Sequence, residues 1–148
     1  MLYYTSSYQE TAALAAKLAD KLTSGCFIAF KGDLGAGKTA FVSGLAQALG
    51  SKNRVSSPTF ALLNQYTDGR LPLYHFDLYR IEGDEIYSLG FDEMFFDESA
   101  IKCVEWSERL NDADMPQKRI EIKILRLDGD NRCFNITPIG YKEGEIDI

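Results

Sequence analysis

A glycine-rich segment that ends in lysine and threonine is the first part of the sequence with the residues to do chemistry. It reads Gly32-Asp33-Leu34-Gly35-Ala36-Gly37-Lys38-Thr39 and fits GxxxxGK[ST], the pattern of a phosphate-binding loop. In such a loop, glycines let backbone N–H groups turn toward phosphate oxygens, and the next helix adds the positive end of its dipole. Lys38 would reach the β- and γ-phosphates, and the hydroxyl of Thr39 would bind Mg²⁺. The pattern therefore predicts a nucleoside triphosphate site.

A phosphate-binding loop also needs an acid that holds the magnesium shell, usually at the end of a buried strand. Two acids fit that description, since Asp77 closes the run 73–77 and Glu105 closes the run 101–105. The second run is the more uniformly apolar. Either carboxylate could instead be a strand-end group that faces water, so the residues alone leave both candidates open.

The segment Ser56-Ser57-Pro58-Thr59-Phe60 follows the helix that leaves the phosphate loop. Many phosphate-loop proteins keep a switch segment there, with a threonine that senses the γ-phosphate. Thr59 is the candidate for that role. The alternative is a loop-to-strand turn set by Pro58, and spacing does not separate the two interpretations.

Hydrophobic spacing predicts the elements that must position these residues. A capping box of Ser7 and Glu10 opens a helix that Gly25 ends, and a second helix covers 39–49. The second helix should turn four apolar residues inward: Phe41, Leu45, Ala48 and Leu49. Strands are predicted over 26–30, 60–66, 71–79, 101–105, 119–127 and 132–137, with hairpin turns at 67–70 and 128–131 and short helices within 82–98. This alternation favours an α/β fold, a mixed sheet with a parallel core and antiparallel hairpins, flanked by helices.

Length and composition bound the class of protein. A chain of 148 residues with 45% hydrophobic and 26% charged residues is expected to form one globular domain over 1–148. No apolar run is long enough to span a bilayer, and the first ten residues do not resemble a secretory signal, so we expect no membrane association. Three well-separated cysteines and one histidine, His75, argue against a disulfide framework or a zinc site. We expect buried structural roles for all four residues and a cytoplasmic location.

The negative charge is concentrated in one part of the chain. The net charge is −6, and residues 77–98 hold eight acids against Arg80 alone, which leaves the rest of the chain nearly neutral. Phosphate neutralisation needs clustered Lys and Arg, so direct binding to tRNA or DNA is not expected. The acidic block is either a solvated face or a docking surface. It also carries seven large apolar residues, more than one short amphipathic helix buries: Ile86, Tyr87, Leu89, Phe91, Met94, Phe95 and Phe96.

Four motifs in a fixed order make the sequence more specific than its phosphate loop. The loop is followed by Ser57-Pro58-Thr59-Phe60, by Tyr74-His75-Phe76-Asp77-Leu78-Tyr79-Arg80 and by Val104-Glu105-Trp106. Together they resemble the TsaE family, the P-loop ATPases of bacterial tRNA threonylcarbamoyladenosine (t6A) synthesis, and the resemblance extends from Gln9 to Thr137. It implies an ATPase that joins the TsaB–TsaD heterodimer, which modifies adenosine 37 of tRNAs that read ANN codons. It also implies that ATP hydrolysis supports repeated turnover of that complex without being the transfer chemistry, and that tRNA is reached only indirectly.

The resemblance also implies roles around the phosphates. Lys38 and the loop amides would hold phosphates, and Thr39 and Glu105 would hold Mg²⁺. Asp77 would lie by the metal or orient the attacking water, and Thr59 would be the switch threonine.

For the nucleoside, the resemblance places adenine between the N-terminal segment and the C-terminal hairpin, which points to Ser7, Tyr8 and Arg132. Trp106 directly follows the metal acid and would lie near the nucleotide. The chain departs from the family at Ala40, where a second threonine often contacts the α-phosphate. The backbone amide remains there, so we expect slightly weaker binding and intact activity.

Two other classes of function share a phosphate loop. A small-molecule or nucleoside kinase needs an acceptor pocket and usually a cationic lid. The C-terminal arginines of this chain fall in or beside a predicted hairpin, which does not favour a lid. A nucleotide-dependent binding module would bind ATP with negligible turnover. Product analysis with candidate acceptors distinguishes the kinase, and hydrolysis with and without partner proteins distinguishes the binding module.

Overall fold

The strands of the protein form one mixed sheet. The computed structural model describes residues 1–32, 37–58 and 61–148. The strands are β1 (Leu2–Thr5), β2 (Phe27–Gly32), β3 (Leu63–Tyr66), β4 (Leu73–Asp77), β5 (Ile101–Glu105), β6 (Arg119–Arg126) and β7 (Arg132–Ile139). Their order in the seven-stranded sheet is β1-β7-β6-β2-β5-β4-β3.

The centre of the sheet is parallel and its margins are antiparallel. Strand β2 pairs in parallel with both β5 and β6, and β4 pairs in parallel with β5. The hairpins β3–β4 and β6–β7 add antiparallel pairs, and β1 closes the far edge against β7. The predicted α/β class, with a parallel core and antiparallel hairpins, is therefore confirmed.

Helices cover both faces of the sheet. Helices α1 (Tyr8–Ala19) and α2 (Lys38–Ala48) pack on one face over a core that includes Phe30, Phe41 and Phe134. The short helices α3 (Glu85–Ser88) and α4 (Asp92–Phe95) cover the other face, where Phe27, Phe76 and Phe95 form a second cluster. Two 3-10 helices, Ser107–Arg109 and Asp112–Asp114, follow β5. No helix in the described part of the chain is long and apolar enough to cross a membrane.

The local signals for α1 give the predicted cap. The Oγ atom of Ser7 accepts a hydrogen bond from the backbone N–H of Glu10 at 3.1 Å. The Glu10 carboxylate accepts in return from the N–H of Ser6 at 2.6 Å, one residue before the expected Ser7. This reciprocal arrangement fixes the start of the helix beside the end of β1.

Four details differ from the prediction. Helix α1 ends at Ala19, well before the predicted stop at Gly25. The strand β1 was not predicted, although it pairs with β7 over all four of its residues. The strand expected from 60 begins only at Leu63, because Leu62 has a φ of 66° that breaks extended backbone. In α2, Ala48 is exposed and not buried as predicted. The buried face of this helix includes two adjacent pairs one turn apart, Phe41 with Val42 and Leu45 with Ala46, and Ala48 lies outside it.

Candidate functional site

The carboxyl ends of three neighbouring parallel strands meet at one edge of the sheet. Strand β2 ends at Gly32, β4 at Asp77 and β5 at Glu105. Asp77 and Glu105 are directly paired in the β4–β5 register, and both are buried. Ligands of open α/β sheets bind outside the carboxyl ends of the strands. The two candidate acids therefore lie together where a nucleotide site is expected.

The start of α2 lies at the same edge of the sheet. Its N-cap, Gly37, has a φ of 107°, a conformation that L side chains rarely adopt, and its carbonyl accepts from the N–H of Phe41. Lys38 and Thr39 are the first two residues of the helix. The predicted phosphate-contacting residues Asp33, Leu34, Gly35 and Ala36 lie outside the described residues.

Lys38 lies against the side chain of Trp106. Its Nζ atom is 4.6 Å from the centre of the Trp106 ring, and Lys38 is only 5% exposed. The ring of Tyr79 packs on the same tryptophan with a centroid separation of 4.9 Å. An ammonium over an indole face is attracted by the ring quadrupole. The tryptophan that follows Glu105 thus contacts the lysine of the predicted phosphate loop.

Two strained residues flank the acids. Among the described residues, Leu62 and Trp106 are the two non-glycine positions with positive φ, at 66° and 58°. The carbonyl of Leu62 accepts a hydrogen bond from the N–H of Asp77 at 2.9 Å, and the N–H of Leu62 donates to the carbonyl of Pro58 at 2.6 Å. Such conformations persist where surrounding structure enforces them, and they cluster at functional sites. The segment that contains Thr59 is therefore tied at its end to β4, although Thr59 and Phe60 lie outside the described residues.

Both acids make defined hydrogen bonds. The Oδ1 atom of Asp77 accepts from the N–H of Tyr79 at 3.0 Å. The Oε2 atom of Glu105 lies 2.5 Å from Nε2 of His75, which is completely buried. Burial of His75 was predicted, whereas its contact with Glu105 was not. Period-two spacing places His75 and Asp77 on one face of the sheet, but it does not show that β5 lies beside β4.

The predicted nucleoside residues line one cleft. A cleft of about 370 Å³ lies between α1, α2 and the β6–β7 hairpin. Its lining includes the predicted nucleoside residues Ser7, Tyr8 and Arg132, together with Gly37 and Ala40 from the start of α2. A Cβ atom built on Gly37 would lie 4.0 Å from Nε of Arg132, so the guanidinium lies beside the start of α2. The hydroxyl of Tyr8 donates to Oγ of Ser43 at 3.0 Å, which links α1 to α2 next to the cleft. The structure thus brings together all the residues that the resemblance assigned to the nucleoside.

The sequence and the fold match known proteins over nearly the whole chain. Residues 5–134 match the family model described as "Threonylcarbamoyl adenosine biosynthesis protein TsaE". The chain belongs to the TsaE family. Among proteins named tRNA threonylcarbamoyladenosine biosynthesis protein TsaE, it is 42% identical to that of Bacillus subtilis (strain 168), over 93% of this chain and 85% of the relative. It is 40% identical to that of Nostoc sp. (strain PCC 7120), over 91% of this chain and 84% of the relative.

A solved structure supports the same assignment. The crystal structure of Bacillus subtilis YdiB superimposes with a TM-score of 0.74 at 35% sequence identity. The match covers 95% of this chain and 86% of that chain. The resemblance to the TsaE family that the four motifs indicated is therefore confirmed.

Other residues lie within the site of this TsaE-family chain without having been predicted for it. Tyr79 packs against Trp106 with tilted rings, and His75 contacts Glu105. Gln9 and Asp130 line the cleft beside Ser7 and Arg132. The two cleft residues belong to a helix start and a hairpin turn, and their proximity depends on sheet order, which sequence patterns do not give.

The acidic segment 77–98 leaves part of its apolar surface uncovered. Ile86 and Phe95 are in the core, but three residues remain between 44% and 47% exposed: Tyr87, Leu89 and Phe96. The Tyr87 and Phe96 rings pack on each other with centroids 6.3 Å apart. The core therefore takes up only part of this set of seven, and these three side chains remain on the surface. We call Tyr87, Leu89 and Phe96, with the exposed acids around them, the acidic–aromatic surface.

The cysteines are buried, as predicted. Cys26, Cys103 and Cys133 are all free thiols with exposures of 7% or less. Complete burial raises the pKa of Cys103 far above its usual value, and Glu105 adds to that effect. A thiol of that kind is not ionised at neutral pH, so it is a core residue and not a nucleophile.

Proposed function

We propose that this TsaE-family protein binds and hydrolyses ATP with Mg²⁺, and that it acts with TsaB–TsaD to support repeated t6A modification of tRNA. The observation that carries the proposal is the convergence of Lys38, Asp77 and Glu105 at one edge of the sheet, in a chain whose relatives are named for t6A biosynthesis. The same edge is where a phosphate loop between β2 and α2 would present its amides.

Phosphate binding is assigned to the loop 32–39 and to the start of α2. Lys38 supplies a positive charge, and Gly37 provides a backbone N–H without a side chain in the way. The Lys38 ammonium lies over Trp106, so the aromatic ring would adjoin the phosphates that Lys38 binds.

Oxygen donors at the site fit a magnesium ion. Thr39 offers a hydroxyl, and Asp77 and Glu105 offer carboxylates, which are the ligand types that Mg²⁺ prefers. Mg²⁺ is usually bound through one or two carboxylates together with phosphates and waters, and the two acids could supply that share. When bound, the ion would neutralise charge that develops on the phosphates.

Asp77 and Thr59 are assigned to the attacking water and to the γ-phosphate. Asp77 is buried and its backbone N–H is tied to Leu62. Leu62, three positions after Thr59 in the sequence, accepts that hydrogen bond through its carbonyl, which supports a common role for Thr59 and Asp77 at the γ-phosphate. The acids then act as positioned groups at a site from which bulk water is largely excluded.

Adenine is assigned to the cleft bordered by Ser7, Tyr8 and Arg132. The cleft opens beside Gly37 and Ala40, so a nucleotide with its phosphates at α2 would place its base there. The tyrosine ring and the guanidinium are both suited to stack on a base.

The partner of this chain is proposed to be the TsaB–TsaD heterodimer, and contact with tRNA is proposed to be indirect. The acidic–aromatic surface combines exposed apolar side chains with negative charge, which suits a protein face with basic residues and repels a polyanion. We also propose that the protein works in the reducing cytoplasm, which is consistent with three free thiols.

Hydrolysis assays on three variants test the proposed chemistry. Lys38→Ala should abolish ATP hydrolysis and weaken ATP binding measured by calorimetry. Asp77→Ala and Glu105→Ala should each lower hydrolysis by about a hundredfold or more while affecting nucleotide affinity less. The product should be inorganic phosphate, since a phosphorylated acceptor would identify a kinase. Normal turnover in all three variants would refute the assignment.

A further inference from the structure

We propose that His75 is a positioning residue that orients the Glu105 carboxylate at the nucleotide site. This inference rests on the proposed function, because it assigns a partner to the acid that would hold the metal. The contact joins Nε2 of His75 to Oε2 of Glu105 at 2.5 Å. Both residues are almost inaccessible to solvent, with exposures of 0% and 6%.

The sheet register explains why a side chain on β4 can reach an acid on β5. His75 pairs with Cys103, and Glu105 lies two residues further along the same neighbouring strand. Side chains two residues apart share a face, so the imidazole and the carboxylate point to the same side of the sheet. His75 also lies two residues before Asp77, which places it directly behind the pair of acids and away from solvent.

The hydrogen bond holds one oxygen of the Glu105 carboxylate in a defined position. A carboxylate accepts, so Nε2 of His75 carries the donated proton and Oε2 of Glu105 is the acceptor. The imidazole contacts Oε2 of Glu105, and Oε1 is the carboxylate oxygen outside this hydrogen bond. Partners of this kind fix the orientation of metal-binding carboxylates and determine affinity through them.

Packing alone is a poor explanation for histidine at this position. Among the described residues, Nδ1 of His75 is a buried nitrogen without a hydrogen-bond partner. A buried polar atom without a partner lowers stability, and an apolar side chain of similar size would remove that penalty. The neighbours of His75 on β4 include Phe76 and Leu73, which are apolar residues buried in the core. The contact with Glu105 accounts for a polar side chain among them.

The test measures metal affinity as well as turnover. The Mn²⁺ affinity of the ADP complex is measured by electron paramagnetic resonance for the wild type, His75→Leu and His75→Gln. We expect His75→Leu to weaken Mn²⁺ binding about tenfold or more, and the longer amide of His75→Gln to restore most of it by donating from a similar position. ATP hydrolysis should follow the same order. Tyr74→Phe is the matched control, because it removes a hydrogen bond to Asp97 from the same strand without touching Glu105.

A double-mutant cycle separates positioning from a general structural effect. If His75 acts through Glu105, His75→Leu should change Mn²⁺ affinity less than about twofold in a Glu105→Gln background. The same loss in both backgrounds would overturn the proposal, as would wild-type affinity in His75→Leu. If His75→Leu does not fold, His75→Asn replaces it, since its shorter amide cannot reach as far as that of His75→Gln.

The proposed function is tested separately in the same experiment. Wild-type protein that binds Mn²⁺ with ADP, and a Glu105→Gln variant that binds it more weakly, support the metal site whatever His75 does. Absence of nucleotide-dependent Mn²⁺ binding in the wild type would refute the metal site, and the role of His75 with it.

Discussion

Gly44 allows α1 and α2 to pack in direct contact, and replacing it should show how tightly the two helices are held. A Cβ atom at Gly44 would lie 2.9 Å from the Cα atom of Ala12 and 2.9 Å from the Cβ atom of Ala15. Ordinary carbon contacts are about 3.5–4.0 Å, so Gly44→Ala requires the helices to separate by about 0.6–1 Å. The nearest atoms belong to backbone and to a short side chain, and neither can turn aside.

Two opposing terms set the size of the effect. Alanine is favoured over glycine within a helix by about 1 kcal/mol, whereas overpacking a close interface costs about 1–3 kcal/mol. We expect a net loss of about 1 kcal/mol of stability, which for a chain of this size lowers Tm by about 3 °C. Separation of the helices should also disturb the hydrogen bond between Tyr8 and Ser43. Nucleotide binding in the adjacent cleft should therefore weaken.

Thermal unfolding followed by circular dichroism measures this effect. Gln47→Ala is the control, because Gln47 lies exposed on the same helix and its replacement should change stability by less than about 0.5 kcal/mol. An increase in the Tm of Gly44→Ala would mean that helix propensity dominates. In that case the close contact between α1 and α2 would not be a determinant of stability, and the reasoning would be refuted.

Four further predictions concern the site and the surface. Trp106 is the single tryptophan, and Lys38 contacts it, so Trp106 fluorescence should change as ATP–Mg²⁺ is titrated in; a flat titration at saturation would place it away from the nucleotide. The three buried cysteines, Cys26, Cys103 and Cys133, should resist a thiol reagent in the folded protein and react after denaturation. Fast labelling of the native protein would contradict their burial. Charge reversal by Glu82→Lys with Glu93→Lys should slow association with TsaB–TsaD most strongly at low salt and leave Tm nearly unchanged, since both side chains are exposed; unchanged association kinetics would exclude the acidic–aromatic surface as the docking face. The isolated chain should bind tRNA weakly or not at all, as measured by a filter-binding assay.

The elements that flank the predicted phosphate loop could be predicted from sequence because their signals are local. The spacing from Gly32 to Thr39, the capping box at Ser7 and the apolar runs before Asp77 and Glu105 each depend on neighbours within a few residues. Local signals of this kind also predicted both long helices and both hairpins. Their boundaries shifted where a single residue overrode the pattern, as at Leu62.

Contacts set by the order of strands were not accessible in the same way. The first strand has only four residues and gains its hydrogen bonds from β7, more than a hundred positions later in the chain. The contact between His75 and Glu105 requires β4 to lie beside β5, and no pattern within either strand states that. The cleft that joins Tyr8 to Arg132 likewise depends on β1 and β7 being neighbours, and it was anticipated only through the resemblance to the family.

The central claim is that nucleotide chemistry in this protein supports t6A synthesis by its partners, and reconstitution tests it most directly. Threonylcarbamoyl transfer to tRNA by TsaB–TsaD is followed over several turnovers without this chain, with the wild type and with Lys38→Ala. We predict repeated turnover only with the wild type and ATP, and no sustained product with Lys38→Ala. Equal product without the chain, or full support from Lys38→Ala, would contradict the account.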